Sequence, residues 1–161
     1  MPRYTELSAG EVTDAKVRQA YAYWQHACRG RRMPARADID PLDLRFCLGW
    51  VCLIDVTDGP VRRFRFRLDG SHLVHLTGYD LTNRYVDEFA DKEYADFLTA
   101  IYNRVVDTKA AVFIGDSEDW GNRGYLMQCA TLPLSDDGER VTGLMDILMP
   151  TPMPLIRTAA S

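Results

Sequence analysis

Cysteine and histidine are the side chains best suited to bind metal ions or act as nucleophiles, and this chain of 161 residues has four of the first and three of the second. The cysteines are Cys28, Cys47, Cys52 and Cys129, and the histidines are His26, His72 and His75. Neither set has the paired spacing of a zinc site, and two histidines three residues apart, at 72 and 75, make a poor one alone. We therefore expect no metal and a set of reduced, buried thiols in a cytoplasmic protein.

Three carboxylates, Asp38, Asp40 and Asp43, have a spacing that resembles the oxygen ligands of a calcium loop. Pro41 interrupts the pattern, and the glycine and the terminal glutamate of such a loop are missing. Asp40 followed by proline instead predicts the start of a helix, with Asp40 as its cap.

Hydrolase chemistry is the next possibility, because Ile114–Ser117 (IGDS) is similar to a nucleophile turn. No histidine follows His75, and the G-x-S-x-G context is missing. Phosphate-binding and dinucleotide-binding glycine patterns do not occur either. The sequence therefore predicts a protein that is not an enzyme; a small enzyme with a cleft between helices and sheet is the third-ranked alternative.

Arginines alternate with apolar residues along Arg62–Leu68, which is the pattern of a half-buried strand. If the phenylalanine face is the helix-covered core, the arginines face solvent or an N-terminal helix. If the parity is the opposite, Arg67 enters the interior and needs an anion, which Asp80, Glu88 or an acidic ligand would supply. A structural salt bridge, a ligand contact and plain exposure all remain open for Arg67.

The elements that must position these residues follow from periodicity and capping signals. Residues 1–10 have no such signal and are expected to be loose. The predicted elements are a helix from near Ser8 to Cys28, a helix from Pro41 to Leu48, strands Trp50–Val56 and Arg62–Leu68, helical pieces capped by Ser71 and Asp80, a helix Lys92–Asp107, and strands Ala111–Glu118, Tyr125–Leu134 and Arg140–Met149. We expect an α+β fold with one five-stranded antiparallel sheet, helices over one face and the prolines from Pro150 onward ending the sheet.

An aromatic stripe of Val17, Tyr21 and Trp24 makes the N-terminal helix amphipathic. The stripe must be buried, either on the free face of the protein's own sheet or in a homodimer or partner interface. Residues 1–36 carry seven basic and three acidic side chains, whereas the whole chain has a net charge of −4. The basic stretch at 29–36 (RGRRMPAR) has no interleaved aromatic residues, so we expect a solvated linker or salt-bridge donors and no nucleic-acid site.

Composition fits one domain, since 47% of the residues are hydrophobic. No apolar run approaches the roughly 20 residues of a membrane span, and the N-terminus has no signal-peptide core. We expect a cytoplasmic protein without membrane contact.

Four stretches resemble a PAS domain: Trp24, PARADIDP at 34–41, FRFRLDGS at 64–71 and GYDLTNRYVDEF at 78–89. The likeness is strongest to the fifth PAS subfamily, of small stand-alone bacterial proteins, and covers about residues 10 to 150. It departs mildly at Ser71, where threonine is expected, and at Asn83, where glycine is usual. The resemblance implies an N-terminal helical flank at 1–45, a PAS core at 46–150 and a Pro-rich tail at 151–161.

The resemblance further implies a five-stranded PAS sheet with a helical cradle on one face, and a dimer formed through the preceding amphipathic helix. The function it implies is a non-enzymatic sensory or regulatory module of bacterial signal transduction that binds a small molecule or a partner protein. The alternative is a ligand-free adaptor that docks partners through its sheet and N-terminal helix. Candidate pocket residues, which plain core packing would equally explain, are Arg67, His72, Leu76, Tyr79, Tyr85, Trp120, Tyr125, Met127 and Cys129.

Cofactors of the PAS family find little support here. In haem-binding PAS domains the iron ligand lies on the long helix before the third strand, and Lys92–Asp107 contains no histidine. Flavin photochemistry requires a cradle cysteine, and none occurs between Cys52 and Cys129. The resemblance therefore predicts neither haem nor cysteinyl-flavin, and leaves non-covalent flavin open.

Overall fold

One antiparallel sheet forms the centre of the computed structural model, which describes residues 4–120 and 123–154. Its described strands are β1 (Tyr4–Leu7), β2 (Val51–Thr57), β3 (Arg63–Leu68), β4 (Val112–Trp120), β5 (Arg123–Leu134) and β6 (Gly143–Pro152). They lie in the order β1-β4-β5-β6-β2-β3. The described α-helices are α1 (Ala15–Ala27), α2 (Ser71–Thr77) and α3 (Lys92–Thr108), with 3-10 turns at Ala9–Glu11, Arg36–Asp38, Pro41–Leu44, Leu48–Trp50 and Val86–Glu88. The α+β class and the antiparallel sheet are confirmed.

The number of strands is a correction, because the described sheet has six rather than five. Residues 1–10 were expected to be loose, but β1 pairs antiparallel with β4. Its Tyr4 ring lies 4.1 Å from the Phe97 ring of α3, measured between centroids, and Glu6 forms an ion pair with Arg104 of the same helix. Without β1, the long strand β4 would be an open edge of the sheet.

The prediction that the prolines from Pro150 onward end the sheet is also wrong, since β6 continues through Pro150 to Pro152. Pairing with β2 stops at Ile147, so beyond that residue β6 has a strand on one side only. The Met153 amide donates to the Gly124 carbonyl, which places the nitrogens of both prolines on the side without a neighbouring strand. Of the predicted Pro-rich tail, residues 155–161 lie outside the described residues.

Helices cover the two faces of the sheet differently. We call α2, the segment 78–91 and α3 together the cradle, and the face they cover the cradle face. Phe64 and Phe66 of β3 lie there, each 3% exposed, as the predicted alternation requires. Leu68, which the alternation places beside them, is 40% exposed and lies on the opposite face instead, because the register of β2 and β3 shifts between Leu53 and Ile54. On the opposite, outer face, the Trp24 indole N–H of α1 donates to the Pro133 carbonyl at 2.9 Å, and the Tyr21 ring packs edge-on against Phe113.

Aspartates cap both longer helices, but the first helix begins later than predicted, because the predicted start near Ser8 forms only the 3-10 turn Ala9–Glu11. Asp14 accepts hydrogen bonds from the Lys16 and Val17 amides and begins α1. Asp91 does the same for α3 through the Tyr94 amide. Asp40 caps only the single 3-10 turn Pro41–Leu44, so the helix predicted there is shorter than expected.

The join between β3 and α2 differs from the prediction that Ser71 caps a helix. Gly70 is the N-cap, and Ser71 is the first helical residue. A side chain at Gly70 would overlap the Gly49 carbonyl and lie 2.9 Å from the Val51 oxygen, so only glycine lets the two segments cross here. The crossing fixes the start of β2 against the end of β3.

The segment after α2 is less helical than predicted. Asp80, expected to cap a helix, accepts a hydrogen bond from the Thr82 amide two residues on, which makes a local turn instead. Residues 83–85 then run along the open edge of β3, where the Asn83 amide donates to the Phe66 carbonyl at 2.7 Å. Only Val86–Glu88 forms a helical turn within 78–90.

Membrane insertion has no candidate among the described helices. None of them combines the length and the apolar character that a bilayer crossing needs.

Candidate functional site

Arg67 lies on the surface, with 62% of its side chain exposed, and pairs with Asp55 of the neighbouring strand. Its Nε donates to the two carboxylate oxygens of Asp55 at 3.0 and 3.2 Å. Of the three readings left open for Arg67, the structure shows a salt bridge at the surface, and the inward-facing case in which Asp80 or Glu88 would pair with it does not occur. Asp55 lies opposite Arg65 in the β2–β3 pair, so the register of the sheet brings this acid next to both arginines. The sequence alone does not give that register, so it could not identify Asp55 as the partner.

The cradle candidates differ in exposure. His72 is exposed and packs its ring 5.0 Å from that of Trp50, between centroids. Tyr79 is 58% exposed, whereas Leu76 is half-buried. Tyr85 is half-buried beneath the Arg63 guanidinium, which lies 3.8 Å from the ring centroid.

Three of the candidates on β5 share the cradle face of the sheet. Tyr125, Met127 and Cys129 alternate along the strand, and Met127 is 3% exposed. Tyr125 and Cys129 are half-buried. The Trp120 side chain lies outside the described part of the structure.

The candidate interface residues of α1 pack on the protein's own sheet. Val17 is fully buried and Trp24 is 7% exposed, while Tyr21 is half-buried against the outer face. Of the two locations that the sequence left open for this stripe, the structure shows the intramolecular one.

A buried carboxylate that the sequence analysis missed lies at the centre of the cradle face. Asp146 of β6 is 5% exposed, with Cys52 of β2 and Thr131 of β5 directly beside it in register. Above this row, Tyr102 of α3 is 1% exposed and donates its hydroxyl proton to Asp146 Oδ2 at 2.5 Å. The polar row therefore crosses the three central strands under the long helix.

The second oxygen of this carboxylate differs from the first in its hydrogen bonding within the described part of the chain. Asp146 Oδ1 is buried and accepts no hydrogen bond from the described residues. An unsatisfied buried acceptor costs about 1–3 kcal/mol, and more when it is charged. Burial raises the pKa of Asp146 to about 6, although the hydrogen bond from Tyr102 to Oδ2 and the neighbouring Thr131 hydroxyl partly oppose the rise.

A second buried acid lies on the other side of Cys52. The Cys52 thiol lies 3.3 Å from Asp69 Oδ1, and Asp69 Oδ2 accepts the Leu81 amide at 3.0 Å. Burial raises the pKa of Asp69, and burial followed by the two nearby carboxylates raises the pKa of the Cys52 thiol well above its usual value. The thiol therefore stays protonated and acts as a donor rather than a nucleophile.

We call Cys52, Asp69, Tyr102, Thr131 and Asp146 the interior polar cluster. Its sequence signal is the single carboxylate inside the apolar run Gly143–Met149, where a charged side chain is rarely buried without a reason. Neither Asp69 nor Asp146 forms an ion pair within residues 4–120 and 123–154. The described residues contain no group of three or more side chains arranged to hold a metal ion.

Two clefts of the described surface lie away from this cluster. One of about 300 Å³ is formed by residues before and within α1 together with Phe113 of β4. A smaller one of about 50 Å³ lies on the outer face, between the 3-10 turns and β2, and includes Leu48 and Leu68. Neither is lined by the interior polar cluster, which is closed over by the cradle.

Comparison with known proteins gives one family. A family model described as PAS domain, that of the fifth PAS subfamily, matches residues 12–146. No significant match is found to a curated protein or to a solved structure. PAS domains are generally sensory or regulatory modules without catalysis, and the order β4-β5-β6-β2-β3 with a cradle on one face suits that family. The chain belongs to the PAS domain family.

Proposed function

We propose that this protein is a sensory PAS module that recognises a small molecule at the interior polar cluster. The observation that carries the proposal is the buried Asp146 oxygen without a hydrogen-bond donor, at the centre of the cradle face. A donor from a ligand would satisfy it and release the energetic cost of leaving it unpaired.

The cost of burying this acid supports a role beyond stability. A hydrophobic residue at 146 would fit the apolar strand without desolvating a carboxylate, so the acid reduces the stability of the unliganded fold. Groups whose pKa is strongly perturbed by burial concentrate at functional sites. Ligand binding would then shift the protein toward a conformation that the ligand stabilises.

Access to the cluster would pass through the part of the cradle with the least regular structure. The segment 78–90 has only one helical turn, and Asp69 fastens it to the end of β3 through the amide of Leu81. The Thr82 hydroxyl adds a longer contact of 3.3 Å to the Asp69 amide. Segments with few regular hydrogen bonds open at the lowest free-energy cost, so this one could admit a ligand.

A thermal-shift screen against a panel of metabolites, followed by native mass spectrometry of the stabilised samples, tests the proposal. At least one compound should raise the melting temperature and appear as added mass on the wild type. Asp146→Asn should lose the shift, while Asp96→Asn, which removes an exposed carboxylate from α3, should keep it. A panel with no stabilising compound, or one whose effects survive Asp146→Asn, contradicts the proposal.

A ligand-free adaptor is the second candidate, and the small outer-face cleft favours it. Leu48 and Leu68 in its lining are 41% and 40% exposed, and Leu42 nearby in sequence is 67% exposed. Arg36 also lines the cleft, so a partner segment with apolar residues flanked by carboxylates would fit it best. Binding of an acidic partner that Leu68→Gln abolishes, with no small-molecule effect, would favour the adaptor.

The protein would also form a homodimer and act in bacterial signal transduction. Because the stripe of α1 is used within the chain, a dimer would form through another surface. Sedimentation of the wild type over a concentration series measures it directly.

A further inference from the structure

We propose that the ligand of the interior polar cluster is a small organic cation with an N–H donor, of the primary-amine class. This inference rests on the proposed function and adds the chemical class of the ligand. The contact it names joins the ammonium group to the unpartnered Oδ1 of Asp146.

The charges around the cluster are the first argument. Asp69 and Asp146 are both buried, at 9% and 5% exposure, and neither is ion-paired within the described part of the chain. The arginines of β3 do not neutralise these acids, because Arg65 and Arg67 pair with Asp55 on the outer face of the sheet. The interior thus has carboxylates without a base, and a cation is the ligand that balances them.

The hydrogen-bonding pattern is the second argument. Ionised Asp146 has only acceptor oxygens, and Oδ2 already receives the Tyr102 hydroxyl, which leaves Oδ1 to accept from a ligand. A ligand must therefore donate there, and an anion or a pure acceptor is excluded by repulsion. A metal ion fits poorly, since no group of three suitable ligands is brought together among the described residues.

The apolar surroundings suggest the rest of the molecule. The Tyr102 ring, whose hydroxyl meets Asp146, packs edge-on against the Phe64 ring with centroids 5.3 Å apart. On the same helix, the Tyr94 ring stacks on Phe89 with centroids 6.2 Å apart. The Phe89 ring in turn lies 5.9 Å from that of Phe66. Such a wall favours an ammonium group attached to a hydrocarbon body, through burial and cation–π contact.

Isothermal titration with matched probes tests the inference. Benzylamine, benzyl alcohol and benzoate have similar bodies and differ in the group that would meet Asp146. We expect the amine to bind wild type and Asp96→Asn at least tenfold more tightly than the alcohol, and benzoate not to bind. Asp146→Asn should lose that preference, and lowering the pH from 7.5 to 5 should weaken amine binding by about tenfold as the acid becomes protonated.

Each other outcome has a defined meaning. Equal binding of amine and alcohol, or amine binding that survives Asp146→Asn, overturns the inference. If the metabolite panel yields a ligand without an N–H cation that still requires Asp146, the amine class is wrong while the sensory proposal stands. If stability responds to pH through Asp146 but none of the probes binds, a proton is the only ligand of this acid, which also overturns the inference.

Discussion

Asp146 makes the stability of this protein depend on pH in an unusual direction. Its pKa rises from an ordinary value of 3.8 to about 6 because it is buried, so the folded state holds the proton more tightly than the unfolded state. Its contribution is therefore most favourable in acid and is lost as the pH rises from about 4 to 6. Surface carboxylates such as Asp87, whose pKa is lowered by the Arg63 guanidinium, act in the opposite direction.

Replacing Asp146 with asparagine should remove this dependence. Between pH 4 and 7 the wild type should lose on the order of 3 kcal/mol of stability through Asp146, because its pKa is about two units higher in the folded state. Asp146→Asn lacks this loss, so its free energy of unfolding should increase relative to that of the wild type over the same range. Urea unfolding at several pH values measures the difference. The comparison of two pH values, rather than one, separates the titration from any packing change at this position.

Asp96→Asn provides the matched control, since it removes the same charge from an exposed position. Its stability should follow the wild type at all pH values. Parallel curves for wild type and Asp146→Asn would contradict a buried, titrating Asp146.

Arg67 is a contrasting residue, because its ion pair is exposed. Arg67→Met should lower the free energy of unfolding by at most about 1 kcal/mol, as is usual for surface pairs. Asp55→Ala should cost more, since it leaves both Arg65 and Arg67 without their partner. Chemical denaturation of the two variants compares them, and a larger loss for Arg67→Met would place this arginine in a structural role.

Among the elements, the crossing of Gly49 and Gly70 sets the geometry of the cradle entrance. Gly70→Ala should destabilise the fold by about 2–3 kcal/mol, because its methyl group would meet backbone oxygens of Gly49 and Val51 that cannot move aside. Gly10→Ala is the control, since the nearest atom to its methyl group would be 4.0 Å away. Thermal unfolding that ranks the two variants equally would show that the crossing tolerates a side chain.

The helix α1 is an integral part of the core. Trp24→Ala should cost about 3–5 kcal/mol, because the indole is 7% exposed and its N–H bonds to Pro133. Gln19→Ala, on the exposed side of the same helix, should have little effect. A Trp24→Ala variant with unchanged melting but weaker self-association would instead assign the residue to an interface.

Elements with a strong local pattern could be predicted from the sequence, and those fixed by distant contacts could not. The alternation of Arg62–Leu68 and the cap at Asp91 gave β3 and α3, because the residues that form them also encode them. β1 has no such pattern, since its formation depends on the edge of β4 and on contacts with α3. Pro150 and Pro152 likewise stay in β6 only because no strand lies beside them there.

For the whole molecule, the PAS family followed from motifs, whereas the interior polar cluster required the fold. Its members come from five distant points of the chain, and only sheet register places Cys52, Thr131 and Asp146 in one row. One carboxylate in the apolar run 143–149 was the available signal. The sequence predicted aromatic side chains as the pocket residues instead, because side-chain type alone does not indicate which face of a strand is buried.

The most direct measurement of the central claim is a carbon-13 NMR titration of the Asp146 side-chain carboxyl group, with and without bound benzylamine. We predict a pKa near 6 for the free protein and a clearly lower value in the complex, because an ammonium group would stabilise the ionised acid. An ordinary pKa near 4 in the free protein, or a value that the amine leaves unchanged, would contradict the claim that this buried acid is the centre of the binding site.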